Sequence, residues 1–203
     1  MEMIQKKLTI GLMILFISIT NGFLHGQENS GKKEPDGKKD VLGTLKALPD
    51  EVQRLRFIHE LGEKKDLEAL RVIVNSNLRI EGGKGGEYGE YAAGVYARSL
   101  EPDLAIAFCS RLPLGSGRWA TALLGLTRHP RAKVIGYFKQ IVTSKNTYVR
   151  YLCYRFCLDK GWSDLLPFAK EDVSSEEGVN GLSLPRGITI GRMARDYVEK
   201  FDH

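Results

Sequence analysis

Thr147-Tyr148-Val149-Arg150-Tyr151-Leu152-Cys153-Tyr154-Arg155-Phe156-Cys157-Leu158-Asp159-Lys160-Gly161 is the stretch whose reading settles the fold class. Val149, Leu152, Cys153, Phe156 and Cys157 recur at intervals of three and four, which sets them on one face of an α-helix. Gly161 follows Lys160, as at a helix C-terminus. Ser163 then predicts the N-cap of a second helix carrying Pro167 in its first turn. The spacing extends outward to Ile190, Met193, Ala194, Tyr197, Val198 and Phe201, to Ala92, Val95, Tyr96, Ser99 and Leu100, and to Trp119, Ala122, Leu123 and Leu126. Shorter sets run from Leu70 to Val74, Ala105 to Leu112, Val134 to Ile141 and Leu165 to Ala169. Asp50 with Gln53 predicts a capping box, and Pro102 and Pro130 suit first-turn positions. Strand-like alternation is not sustained anywhere, so the predicted class is all-α.

Equivalent positions recur. Tyr91, Trp119 and Val149 are 28 and 30 residues apart, and Val52 precedes Tyr91 by 39, a Gly-rich break from Arg79 to Gly89 making up the excess. A second long loop spans Asp172 to Arg186. Each unit reads as a longer helix, a short turn and a shorter helix. One such hairpin cannot bury both its apolar faces and must stack on its neighbours. The expectation is a short α-solenoid, a superhelix of about four stacked antiparallel helix pairs plus a C-terminal helix, over residues 41–203.

Thr147-Tyr148-Val149-Arg150, then Cys153, Cys157-Leu158 and Ser163-Asp164-Leu165-Leu166, resemble a HEAT-like, armadillo-type repeat. That pattern is a polar turn, Val-Arg, a small residue three further on, and a second helix opened by Asp-x-Leu-Leu; here Leu165-Leu166 follow Asp164 directly, without the intervening residue. In the other units Val52-Gln53, Tyr91-Ala92 and Trp119-Ala120 stand where Val-Arg would be. The resemblance implies a scaffold that acts by binding another protein or peptide rather than by chemistry.

The chain has 203 residues, 30 Lys+Arg against 25 Asp+Glu, a formal net charge of +5 and a pI near 9.0. That length allows one domain and a tail, and three cysteines are too few for a disulfide-stapled miniprotein. Lys6 and Lys7 precede an apolar stretch from Leu8 to Leu24, as in a secretory signal peptide over residues 1–26. Cleavage would follow Gly26 or Gly22. The 17-residue stretch is also at the lower limit of an uncleaved membrane anchor, so both readings stand. Residues 27–40 are polar, with Lys32, Lys33, Lys38 and Lys39, and read as a flexible tether. The expected location is periplasmic or extracellular, with residues 8–24 as the only membrane contact.

Candidate chemistry is sparse. Cys153 and Cys157 share a helix face, yet two further metal ligands at matching spacing are missing, and a bridge between them is disfavoured because their Cβ atoms would stand about 5–6 Å apart. They and Cys109 read as small core hydrophobes. Gly82-Gly83-Lys84-Gly85-Gly86 lacks the preceding strand and the Lys-Ser/Thr of a phosphate loop. His59, His129, Glu101 with Asp103, and Glu176-Glu177 fit no catalytic constellation. No enzyme activity, catalytic residue, metal or cofactor is therefore expected. The second helices supply the candidate partner surface: Arg71, Asn75, Arg111, Lys133, Tyr137, Lys139 and Lys170 would form a mildly positive groove for an acidic peptide. The alternative is nucleic-acid or polyanion binding through a basic helical surface, against which the export signal argues; an envelope enzyme using a cysteine ranks behind both.

Overall fold

The structure is a computed structural model that describes residues 40–79, 87–179 and 187–202. The signal, the tether up to residue 39 and the Gly82–Gly86 expectations lie outside those residues, while Asp40, the last tether residue, caps the first helix. Ten helices run through the described chain: α1 Val41–Ala47, α2 Glu51–Glu63, α3 Leu67–Val74, α4 Tyr88–Ser99, α5 Pro102–Arg111, α6 Gly117–Leu126, α7 Arg131–Ile141, α8 Thr147–Lys160, α9 Leu166–Asp172 and α10 Ile190–Phe201. The described residues hold no strand, only isolated antiparallel bridges between Arg79 and Glu87 and between Gly178 and Thr189. The protein is all-α.

Local chemistry explains most helix boundaries. Asp50 Oδ1 accepts from the Gln53 N–H at 2.8 Å, and Ser116 Oγ and Asn146 Oδ1 accept from the Trp119 and Val149 N–H groups at 3.2 and 3.3 Å. Trp119 and Val149 therefore stand at the same place in α6 and α8, each held by a cap three residues before it. Pro102 opens α5, whereas Pro130 sits just before α7 with an extended ψ of 128°. Three expectations need correction. Ser163 does not cap α9; it starts a turn in which its carbonyl accepts from the Leu166 N–H, and the helix begins at Leu166. α6 has 10 residues and α7 has 11, so the third unit is not longer-then-shorter, because the Ser116 cap sets a late start for α6. α1 is an added element, which Asp40 caps by accepting from the Gly43 N–H and which buries Leu45.

The substantial contacts join helices one or two places apart in the chain. α4 packs on α2, α3, α5 and α6; α7 packs on α5 and α8; α10 packs on α8 and α9. The closest of these seams is α4 on α6. A Cβ at Gly125 would lie 2.4 Å from the Gly94 carbonyl oxygen and 3.0 Å from the Ala97 Cβ, so only glycine lets the backbones meet. Thr121 on α6 adds a hydroxyl that donates to the Glu90 carbonyl at 2.5 Å.

The two ends of the described chain are built alike, a correspondence outside the 28–30-residue spacing. At the end of α2 the Asp66 N–H donates to the Leu61 carbonyl at 2.9 Å; at the end of α8 Trp162 donates to Cys157 at 2.8 Å. After α3 the Ser76 N–H reaches Ile73 at 3.0 Å, and after α9 Ser175 reaches Asp172 at 2.9 Å. Tyr88 then donates to Leu78, as Ile190 does to Glu177. Gly89 and Gly191 follow, each tight against the carbonyl of that serine. The α2–α3–α4 succession is thus repeated as α8–α9–α10.

Aromatic side chains fill the second half of the core. Trp119, Phe138, Tyr154 and Tyr197 are fully enclosed. Their polar atoms are satisfied: the Trp119 indole N–H donates to the Tyr137 hydroxyl at 3.2 Å, Tyr154 donates to Asp172 Oδ2 at 2.7 Å, and Tyr197 donates to the Trp162 carbonyl.

Candidate interaction surface

The candidate chemical groups sit where packing or capping explains them. Cys109, Cys153 and Cys157 are free thiols with no exposure. Burial pushes Cys109 and Cys157 up to about 12 and Cys153 well above its ordinary range. A protonated, enclosed thiol is a poor nucleophile. His129 Nε2 lies 3.0 Å from the Ala97 carbonyl, one of the acceptors left open at the end of α4. His59 pairs with Glu63 at 3.3 Å, and burial, then the nearby Arg98, holds its pKa below the ordinary 6.5. Among the described residues no three His, Cys, Asp or Glu side chains gather as metal ligands. No described helix is long and apolar enough to cross a membrane.

Several arginines are spent on structure. The Arg150 guanidinium, 13% exposed, forms a two-pronged contact with Asp172 through Nη2 at 2.6 Å and Nε at 3.3 Å, and reaches Glu177 through Nη1 at 3.0 Å. This network clamps the chain after α9 onto α8. Arg118 on α6 holds Glu87 at 2.6 Å and the Ser76 carbonyl at 2.8 Å, doing the same for the chain before α4. Arg131 Nε approaches Asp164 Oδ2 at 2.6 Å and lowers that carboxyl's pKa, tying the α6–α7 turn to the α8–α9 turn.

The seven residues expected to line a groove separate into three groups. Tyr137 is in the core, 8% exposed, under the Trp119 indole. Arg71 is exposed and 3.7 Å from Glu68, and Lys170 pairs with Asp202 at 2.7 Å, so both positive charges are locally balanced. Asn75, Arg111, Lys133 and Lys139 are exposed. Lys133 and Lys139 share α7 with exposed Gly136, beside which a Cβ would meet no atom within 4 Å. α7 carries Arg131, Lys133 and Lys139 and no acidic residue, which makes it the most one-sidedly charged helix of the second-helix set α3, α5, α7 and α9.

Sequence reasoning passed over a second cationic group. Arg98 is in the last turn of α4, Arg128 in the turn that ends α6, and Lys160 is the last residue of α8. They are 30 and 32 residues apart, close to the 28 and 30 of the units themselves, which was a readable signal. Arg98 is half-buried, while Arg128 and Lys160 are exposed.

Comparison with known proteins finds no matching family model, no matching curated protein and no matching solved structure.

Proposed function

We propose that this chain is a binding module rather than an enzyme: a short HEAT-like α-solenoid that holds an acidic segment of another protein in the cell envelope. The contact order supports the solenoid reading, since substantial contacts run only between helices one or two places apart. The observation that carries the binding reading is α7, where Lys133 and Lys139 are exposed with no carboxylate at ion-pair distance among the described residues. Gly136 between them leaves room for a partner's backbone to approach. Charge on one helix face with open space beside it favours an extended or helical acidic peptide.

The test is fluorescence anisotropy of the full chain with a labelled glutamate-rich peptide of about 15 residues, over a range of salt. Saturable binding that weakens with salt and is lost in the Lys133→Glu/Lys139→Glu variant is the expected result. If a single-stranded oligonucleotide binds and the peptide does not, the site is for polyanions and the protein-binding reading fails. A peptide that fails to bind even at low salt sinks it as well.

A further inference from the structure

Three turns at the C-terminal ends of α4, α6 and α8 each deliver one cation. The backbones of the first two meet at Gly125: its Cβ position is 3.3 Å from the Arg98 nitrogen, and its carbonyl accepts from the Arg128 N–H at 3.1 Å. The third turn is drawn to the second by the Arg131–Asp164 ion pair. Among the described residues no carboxylate lies within ion-pair distance of Arg98, Arg128 or Lys160, and none of their side chains makes a hydrogen bond. The nearest acids make their direct contacts elsewhere: Glu63 with His59, Asp159 with Arg155 and Asp164 with Arg131.

Cations at helix C-termini ordinarily satisfy the last carbonyls. Here that work is done by other groups. The Ala97 carbonyl has His129, Leu124 has the Thr127 N–H and hydroxyl, Gly125 and Leu126 have backbone N–H groups, and Leu158 has Gly161 and Lys200. Three helix ends carry about −0.5 charge each, which offsets only about half of three full positive charges. The remainder is felt locally. Burial is the main cause that lowers the pKa of both Arg98 and Lys160. Arg128 lowers each further, against the opposing pull of Tyr91 and Glu63 on Arg98 and of Asp159 on Lys160, so Arg128 is near enough to repel both. Glu63 acts on Arg98 only from beyond ion-pair distance, so a half-buried guanidinium beside the like charge of Arg128 would gain from an oxyanion in direct contact.

We infer that Arg98, Arg128 and Lys160 form a binding site for a phosphate group, carried either free or on a lipid head group. Two guanidinium forks suit the oxygens of a tetrahedral dianion, and an ammonium adds a third contact. The site lies on the turns that end the first helices, whereas the proposed peptide face lies on α7, so each stands without the other.

The experiment uses the full chain, with inorganic phosphate as one probe. The second probe is vesicles of phosphatidylcholine with about one-fifth phosphatidic acid, read against plain phosphatidylcholine vesicles. Saturable phosphate binding, weakened about tenfold by Arg98→Gln/Arg128→Gln and unchanged by Lys133→Glu/Lys139→Glu, is expected. Vesicle binding that needs phosphatidic acid and is lost in the same variant assigns a lipid source; phosphate binding alone assigns a free one. In phosphate-free buffer the variant should melt at or above the wild-type temperature, since it removes repulsion, and phosphate should raise the melting temperature of the wild type only. Lys160→Gln repeats the measurement with a single change. The inference is overturned by no saturable binding to either probe, by succinate binding as tightly as phosphate, or by variants that melt lower yet keep their phosphate affinity.

Discussion

At Lys65 the backbone turns left-handed, φ 53°, and at Gly161 it does so again, φ 69°. Both residues close a helix by the same pair of hydrogen bonds. Lys65 donates to Gly62 and Asp66 to Leu61, as Gly161 donates to Leu158 and Trp162 to Cys157. A left-handed residue with a Cβ costs about 1 kcal/mol, which glycine avoids. Lys65→Gly should therefore raise stability by about 1 kcal/mol and Gly161→Ala lower it by about 1 kcal/mol in denaturant titrations. The stop at Gly161 was legible because glycine advertises it, whereas nothing in the identity of Lys65 did. His59 is a second residue with a measurable consequence. Its folded pKa is lowered by burial and by Arg98, so the unfolded chain binds more protons as pH falls through about 6.5. That part of the stability is present above the ordinary value and lost on acidification. Unfolding free energy should fall from about pH 7.5 to 5.5, and fall less steeply in His59→Gln.

Among the helices, the seam of α4 on α6 shows what periodicity could not report. Gly94 and Gly125 lie inside helices, where glycine costs about 1 kcal/mol against alanine. The cost is accepted because the two backbones meet there, with the Gly94 carbonyl 2.4 Å from the Cβ position of Gly125. Gly125→Val should destabilise by about 3 kcal/mol, because backbone rather than a movable side chain stands in the way; thermal unfolding would show it. Gly136→Ala, with open space around it, makes the control and should stabilise by about 0.5–1 kcal/mol. The equivalence of α6 with α8 was readable from the 30-residue spacing of Trp119 and Val149, and the structure adds the caps Ser116 and Asn146 that keep that register. The equivalence of α2–α3–α4 with α8–α9–α10 was not, because it lies in backbone hydrogen bonds and in one shared glycine position, Gly89 with Gly191.

Across the whole molecule the core is continuous, from Leu45 of α1 to Tyr197 of α10. The three thiols report on it from α5 and α8, and each is fully enclosed. At mildly alkaline pH a thiol reagent should find no fast-reacting group in the native protein and three after unfolding in denaturant. Prompt labelling of even one thiol in native protein would contradict the burial. The candidate surface was only partly legible, and for a related reason. Lys133 and Lys139 could be placed on an outer face, but that Tyr137 turns inward to the Trp119 indole, or that Lys170 meets Asp202, depends on helices far apart in the chain.

The sequence by itself determined nearly all the helices, the Asp50 cap, the Gly161 stop and the all-α class, because those follow from interactions between residues three to five apart. Tertiary structure alone decided which cations stay unpaired, which glycines mark contact and that the two ends are built alike. Those outcomes depend on which turn comes to rest beside which, and no local spacing encodes that.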